Sequence, residues 1–412
     1  MPMSRDRQEE KRPRKRARVD SDDEDQQQQQ RQKANGTPLR AGVNGSASNP
    51  NTPKKEPIRH WRVKAEYWDN TPTKEVADLD DVFYLSDPSA TVYIRCKDTM
   101  FKIHERMFTC TEFFQECLDS HGPTSISNPH RMVAATVDEL RAFFWALYAT
   151  DSQLAEKITE FPHLQRVFRI CSMTRKYPDL PRMIEWADAQ VRSVAADNVF
   201  MDSCSSAALA EFTTFAILHE FPDELALIQK KWCERLQSKS APSVPAIQVA
   251  DEYPEDLKEL RGIAYYLHIQ DMMDRQTQFT ESGATHLFAD PKLNNGQVMR
   301  LLAGYWSLSA LWERLRLKPA ELPLGASCCD EAHAKCISIW ERRWTSAAGW
   351  KRILGINTAD ALALLSCLQD QLSNDDDLKV INPDCRRAGL EEIRKLREKT
   401  KDGLGDHFAG VV

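Results

Sequence analysis

Residues 92–118 constrain the fold of this chain more than any other stretch. Two short runs, 92–96 and 99–103, alternate between two faces and are separated by the polar pair Lys97-Asp98. Alternating runs joined by two polar residues predict a β-hairpin with a tight turn. The hairpin should end at His104, where the alternation stops.

A helical pattern follows the hairpin directly. Apolar residues recur at three- and four-residue spacing from Met107 to Leu118, and Thr109 with Glu112 has the Thr-x-x-Glu form of a capping box. A short strand is predicted at 131–135, followed by a helix that begins at Thr136 and runs through 148. The chain therefore begins its folded part as a mixture of strands and helices.

This order of elements resembles the BTB/POZ domain. The phrase Phe101-Lys102-Ile103-His104 is similar to the F-x-V-H phrase of its second strand, and residues 171–191 are similar to the "KY…L…W" helix pair that closes the domain in the expanded BTB family of mushroom-forming (basidiomycete) fungi. The resemblance implies an α+β BTB/POZ domain, with a short β-sheet flanked by helices, followed by an all-α helical region. A loose similarity at 261–266, Arg-Gly-x-Ala-Tyr-Tyr, indicates BACK-like helices.

The predicted organisation has five parts. They are a disordered tail with a basic cluster (1–57), an N-terminal extension (58–80), the BTB/POZ domain (81–195), a BACK-like helical extension (196–270) and a C-terminal helical region (271–412). Helical periodicity continues to the last part, and no internal repeat indicates a solenoid.

The first 57 residues are poor in apolar side chains and contain a glutamine run, so they cannot offset the entropy of ordering by burial. The tail contains six basic residues of the kind that import receptors bind, which predicts a nuclear protein that can shuttle to the cytoplasm. They are Lys11, Arg12, Arg14, Lys15, Arg16 and Arg18. Ser21 precedes an acidic run and is a candidate phosphosite; the alternative is that the acidic run only balances the basic one.

Composition excludes several classes of protein. The 412 residues include 11 cysteines, an odd number scattered through helical patterns, which indicates reduced thiols rather than a disulfide framework. No apolar run approaches the ~18 residues of a membrane span, so we expect a soluble intracellular protein that does not contact membranes. The formal net charge of −6 predicts no general attraction to nucleic acid.

The sequence contains no pattern typical of an enzyme, neither a phosphate-binding glycine loop nor a dinucleotide, metalloprotease or serine-hydrolase motif. His104 stands alone at a strand end, without a carboxylate partner evident in the sequence. Such a histidine is more often structural than a general base, and the resemblance implies the same. We therefore expect no catalytic residues and no enzyme activity.

One group of residues could bind a metal. Cys329, His333 and Cys336 have the spacing of one helical face, and Cys385 could supply a fourth ligand. Zinc suits such sulfur and imidazole ligands. The spacing matches no established zinc finger, so the sequence favours buried thiols without a cofactor and a zinc content well below one per chain, with structural zinc as the alternative.

Residues 340–352 interleave tryptophan with arginine and lysine. This pattern could stack on single-stranded nucleic acid, but helix-spaced buried tryptophans are the commoner arrangement. Direct nucleic-acid binding is therefore not expected.

The resemblance implies a protein-interaction module that forms homodimers or pairs with other BTB proteins. Trp61, Tyr67 and Trp68 are candidate dimer anchors, since aromatic residues dominate interface energies. Two functions stay open: an adaptor that links a cullin ubiquitin ligase scaffold to a substrate, and a nuclear scaffold in a transcription or chromatin complex without ubiquitin chemistry.

Overall fold

The computed structural model describes residues 76–177, 179–276 and 289–410. The predicted tail and most of the predicted N-terminal extension lie outside these residues. The described strands are β1 (Asp78–Tyr84), β2 (Ala90–Cys96), β3 (Thr99–His104) and β4 (His130–Arg131).

The described helices follow in this order: α1 (Glu105–Phe108), α2 (Glu112–His121), α3 (Val137–Tyr148), α4 (Asp151–Leu154), α5 (Phe161–Lys176), α6 (Pro181–Ala196), α7 (Asn198–Ser203), α8 (Ser206–Leu218), α9 (Pro222–Gln237), α10 (Ser243–Glu252), α11 (Lys258–Gln276), α12 (Asn295–Leu317), α13 (Asp330–Ala348), α14 (Lys351–Leu354), α15 (Ala361–Ser373), a 3₁₀ helix (Asp376–Val380), α16 (Pro383–Asp402) and α17 (Leu404–His407). The described chain is thus a small sheet followed mostly by helices.

The sheet has the strand order β1-β3-β2-β4 within the described residues. β2 and β3 pair antiparallel, with Cys96 opposite Thr99, and Lys97 in the turn has a φ of 51°. The predicted hairpin is confirmed. β4 pairs parallel with β2, through His130 and Arg131 only, so the strand predicted at 131–135 is shorter and begins one residue earlier.

β1 pairs parallel with β3 and was not predicted as a strand. Its buried carboxylate Asp80 accepts a hydrogen bond from the backbone N–H of Phe83 and forms an ion pair with Arg141 at 2.7 Å. The ring of Phe83 packs edge-on against Phe144 of α3. β1 is therefore held at one end of the sheet by contacts with α3 that only the tertiary structure provides.

Two helix starts test the predictions made from the sequence. α2 begins after Thr111, whose side chain accepts from the N–H of Phe114, so the box predicted at Thr109 and Glu112 is wrong. Thr109 instead donates its hydroxyl to the carbonyl of Glu105 in α1. The predicted start of α3 at Thr136 is confirmed, with a complete capping box to Glu139.

Three clusters of buried apolar side chains form the interior. The N-terminal core cluster lies between the sheet and helices α2, α3 and α5 and includes Ile94, Phe101, Phe114 and Phe143. The middle core cluster extends from α3 to α12 and also includes Leu404 and Phe408 near the end of the chain. The C-terminal core cluster includes Trp340, Trp344, Leu368 and Cys385.

The middle core cluster includes residues on both sides of the predicted boundary at 195, among them Val191 and Phe200. The division of the chain at that position stays a prediction. Among the described helices, none combines the length and apolar character needed to cross a membrane.

Candidate metal centre

Three potential metal ligands meet in the C-terminal helical region. The side chains of Cys328, His333 and Cys385 each offer a ligand atom, and these atoms all lie within 4.8 Å of one another. We refer to these three residues as the thiol–imidazole cluster. Tetrahedral zinc, with bonds of about 2.3 Å to sulfur and about 2.0 Å to nitrogen, would hold such atoms roughly 3.5–3.8 Å apart. Small side-chain adjustments therefore suffice for coordination.

Each member of the cluster comes from a different local structure. Cys328 closes a turn, in which its N–H donates to the carbonyl of Gly325. His333 lies in the first turns of α13. Cys385 is the third residue of α16, where the side chain of Asn382 caps the helix by accepting from the N–H groups of Asp384 and Cys385.

The imidazole of His333 is oriented by hydrogen bonds at both nitrogens. Nε2 lies 3.1 Å from the carbonyl oxygen of Leu322, and Nδ1 lies 3.4 Å from Sγ of Cys385. A carbonyl only accepts, so Nε2 carries the proton and Nδ1 presents its lone pair to the sulfur. Backbone carbonyls commonly orient metal-binding histidines in this way.

Cys385 is fully buried, with a backbone N–H donor and a helix N-terminus beside its sulfur. The N–H of Gly325 donates to its sulfur at 3.2 Å. The N-terminus of α16 also carries partial positive charge, which stabilises an anion there. A side chain at position 325 would place its Cβ 2.5 Å from the backbone nitrogen of Cys385, so glycine permits this close approach.

The turn that carries Cys328 is fastened to the start of α16. The hydroxyl and N–H of Ser327 both donate to Asp384, at 2.5 and 3.2 Å, and the amide of Asn382 donates to the carbonyl of Ser327. These bonds hold the turn so that the Cys328 thiol faces His333 and Cys385. The hydrogen bonds between Ser327 and the start of α16 therefore help to position the cluster, in addition to the bonds that its three members form.

Electrostatics hold the proton on the Cys328 thiol when no cation is bound. The pKa of Cys328 is raised to about 12, chiefly by partial burial and to a smaller extent by the adjacent thiols of Cys385 and Cys336. A divalent cation would displace the thiol protons, because metal ligation requires thiolates.

The predicted ligand set is only partly brought together. His333 and Cys385 belong to the cluster, whereas Cys336 is not one of its three members and lies buried in the C-terminal core cluster. Cys329 does not belong either: it is exposed, and it precedes α13 as the N-cap residue with extended backbone angles. The helical spacing rule used for Cys329 fails because the helix starts one residue later. The acidic pair Asp330-Glu331, typical of a first helical turn, was the signal that could have shown this.

Other predicted residues lie elsewhere. The basic cluster at 11–18, Ser21 and the candidate dimer anchors Trp61, Tyr67 and Trp68 lie outside the described residues. Those predictions stay predictions.

His104 has partners that the sequence did not reveal. Its Nδ1 lies 2.8 Å from the hydroxyl of Tyr148, and its Nε2 lies 3.2 Å from a carboxylate oxygen of Asp87. Hydrogen bonds from the backbone and side chain of Ser89, together with His104, lower the pKa of Asp87 to about 2. The arrangement ties the end of β3 to the end of α3.

The interleaved tryptophans are largely interior. Trp340 and Trp344 are buried and donate their indole N–H groups to the carbonyls of Ala320 and Leu315, each at 2.9 Å. These two rings pack in the C-terminal core cluster, where they cannot stack on a nucleic-acid base.

Comparison with known proteins gave no match to a family model, a curated sequence or a solved structure.

Proposed function

We propose that this protein is an interaction module built on a BTB-type domain, which self-associates and links a cullin scaffold to a substrate. The observation that carries the proposal is the path of the chain through the N-terminal core cluster. A hairpin leads directly into α1 and α2, a two-residue strand returns to β2, and α3 and α5 close the cluster. That order supports the resemblance of the sequence to BTB/POZ domains.

The exposed side of β1 supports a role in protein contacts. β1 is an end strand of the described sheet, and the side chains of Leu79 and Val82 on it are 55% and 59% exposed. Exposed apolar groups on an end strand favour association with another chain.

The self-association proposal can be tested by light scattering on the full-length protein at micromolar concentration. We expect a dimer, and we expect the Trp61→Ala Trp68→Ala variant to be monomeric because a stable interface of roughly 2,000 Å² relies on aromatic anchors. Trp306→Ala is the matched control, since Trp306 is an exposed tryptophan on α12. It should leave the dimer intact. A monomeric wild-type protein would contradict the proposal.

Affinity purification with mass spectrometry distinguishes the two kinds of partner. The adaptor function predicts a cullin among the recovered proteins. Recovery of chromatin or transcription factors without a cullin would favour the nuclear scaffold instead.

Nuclear localisation is part of the same proposal. Replacing Lys15 and Arg16 by alanine should move a tagged protein to the cytoplasm, because import receptors bind such clusters through their charge. Ser21→Asp should alter the distribution as well if phosphorylation regulates import. An unchanged nuclear signal in the alanine variant would contradict the role of the cluster.

We also propose that the thiol–imidazole cluster binds zinc. The observation that favours a metal over simple burial is the orientation of His333, whose lone pair faces the sulfur of Cys385 while its N–H is held by the Leu322 carbonyl. Soft thiolates and imidazole select zinc among the common divalent ions. The proposal departs from the sequence-based preference for metal-free thiols.

Elemental analysis of the purified full-length protein tests the zinc proposal. We expect about one zinc per chain, retained through dialysis and lost in Cys385→Ser. A wild-type protein that contains no zinc, and takes up none when zinc is added under reducing conditions, would contradict it.

A further inference from the structure

Cys336 lies close to the thiol–imidazole cluster without being one of its three members. It follows His333 by three residues on α13, so the two side chains share a face of the helix. Cys336 is buried in the C-terminal core cluster together with Cys385. The Cys336 thiol is also among the neighbours that raise the pKa of the Cys328 thiol.

We propose that Cys336 is the fourth ligand, so that Cys328, His333, Cys336 and Cys385 form a closed Cys₃His zinc site. The inference rests on the zinc proposal above and specifies its coordination. Three sulfur ligands and one nitrogen ligand give the ligand number of structural zinc sites. Four protein ligands leave no position for water, so the site has a structural role and no catalytic one.

The surroundings suit the charge of such a site. Three thiolates and one zinc ion carry a net charge of −1. The N–H of Gly325 donates to Cys385, and the N-terminus of the 20-residue helix α16 lies at the same sulfur. Both favour negative charge in a buried position.

The site would fasten α16 to α13 and to the turn that directly precedes α13. Cys328 belongs to the turn before α13, His333 and Cys336 to α13 itself, and Cys385 to α16. Because such a site cannot form in an unfolded chain, the free energy of metal binding becomes free energy of folding. Removal of zinc should therefore loosen the contact between the turn, α13 and α16.

The coordination can be measured on the wild-type protein. Zinc K-edge X-ray absorption counts the neighbouring atoms, and we expect three sulfurs at about 2.3 Å and one nitrogen at about 2.0 Å. Two sulfurs with two lighter atoms would overturn the assignment of Cys336 but leave zinc binding intact. A protein without zinc would instead refute the proposal on which this inference depends, so the two failures are distinguishable.

Variants provide a second test, with Co²⁺ as the spectroscopic probe of the reduced, metal-free protein. Cys336→Ser should weaken Co²⁺ binding by more than the ~10–100-fold typical of losing an outer hydrogen-bond partner of a metal ligand. Cys328→Ser and Cys385→Ser should do the same.

Two cysteines serve as matched controls. Cys329 is the exposed neighbour of Cys328, and Cys367 is buried in the same C-terminal core cluster. Serine at either position should leave the Co²⁺ spectrum and affinity unchanged. Unchanged binding by a folded Cys336→Ser variant would overturn the inference, and if that variant does not fold, the absorption measurement on the wild type decides.

Discussion

His219 shows how a single half-buried group links stability to pH. Its Nε2 lies 3.2 Å from the hydroxyl of Ser172, its ring packs on Phe215, and Arg175 donates to its backbone carbonyl. Burial, with a smaller contribution from the Arg175 charge, lowers the pKa of His219 from 6.5 to about 4. The folded protein therefore holds this imidazole neutral at pH values where the unfolded chain protonates it.

A pH-dependent loss of stability follows from that shift. Between about pH 6.5 and 4 the unfolded state binds more protons than the folded state, so the free energy of unfolding falls as the pH is lowered through this window. Below pH 4 His219 is protonated in both states and adds no further pH dependence. We expect the His219 contribution to cost about 2 kcal/mol between pH 7 and pH 5. Urea unfolding at both pH values measures it.

His219→Gln is the comparison for that measurement. The pKa of His130 is likewise lowered to about 4, by burial and by His121, so the variant should keep part of the pH dependence. Its loss of stability between pH 7 and pH 5 should be smaller than that of the wild type. Equal losses would show that His219 does not contribute.

Helix α3 illustrates what a local sequence signal can establish at the level of an element. The N–H of Thr136 donates to the carboxylate of Glu139 at 2.8 Å, and the N–H of Glu139 donates back to the Thr136 hydroxyl at 3.2 Å. The helix that follows buries Leu140, Phe143 and Phe144. The cap therefore fixes the start of a helix that supplies much of the N-terminal core cluster.

Thr136→Ala should lower the free energy of unfolding by about 1 kcal/mol, because one N–H at the helix start loses its partner. Thr150→Ala is the matched control: Thr150 forms the same kind of capping box with Gln153, on the four-residue helix α4, which has no buried side chains. Chemical denaturation should show a smaller effect for Thr150→Ala. The reverse order would contradict the account.

The middle core cluster includes contacts made near the end of the described chain. The ring of Phe408 is buried and stacks on Tyr265 of α11, with centroids 5.1 Å apart. It also covers Gly304 of α12, where an added Cβ would lie 1.9 Å from the ring. Glycine is therefore required at 304 as long as the ring is present.

Phe408→Ala should lower the free energy of unfolding by about 3–5 kcal/mol, because it leaves a cavity in the middle core cluster. Gly304→Ala should also destabilise, through the clash with the ring. In the double variant the new methyl group enters space that the ring has left, so the combined cost should be less than the sum of the two. Additive costs in thermal or urea unfolding would contradict this contact.

The sequence by itself determined features whose cause is local. Alternation and the Lys97-Asp98 link were enough for the hairpin, since a two-residue turn and its strands are adjacent in the chain. Thr136 and Glu139 were enough for the start of α3, because a capping box spans four residues. At α2 the capping-box signal of Thr109 and Glu112 failed. The Thr109 hydroxyl bonds to the carbonyl of Glu105 in α1, and Thr111 is the residue that caps α2.

Only the tertiary structure decided which distant groups meet. His333 and Cys385 are 52 residues apart, and their approach depends on how α13 and α16 pack. Cys328 rather than Cys329 joins them because the turn at Gly325 is held by hydrogen bonds to Ser327 from the start of α16. Periodicity defines the face of a helix on which a side chain lies, but packing and the path of the loops define what that face contacts.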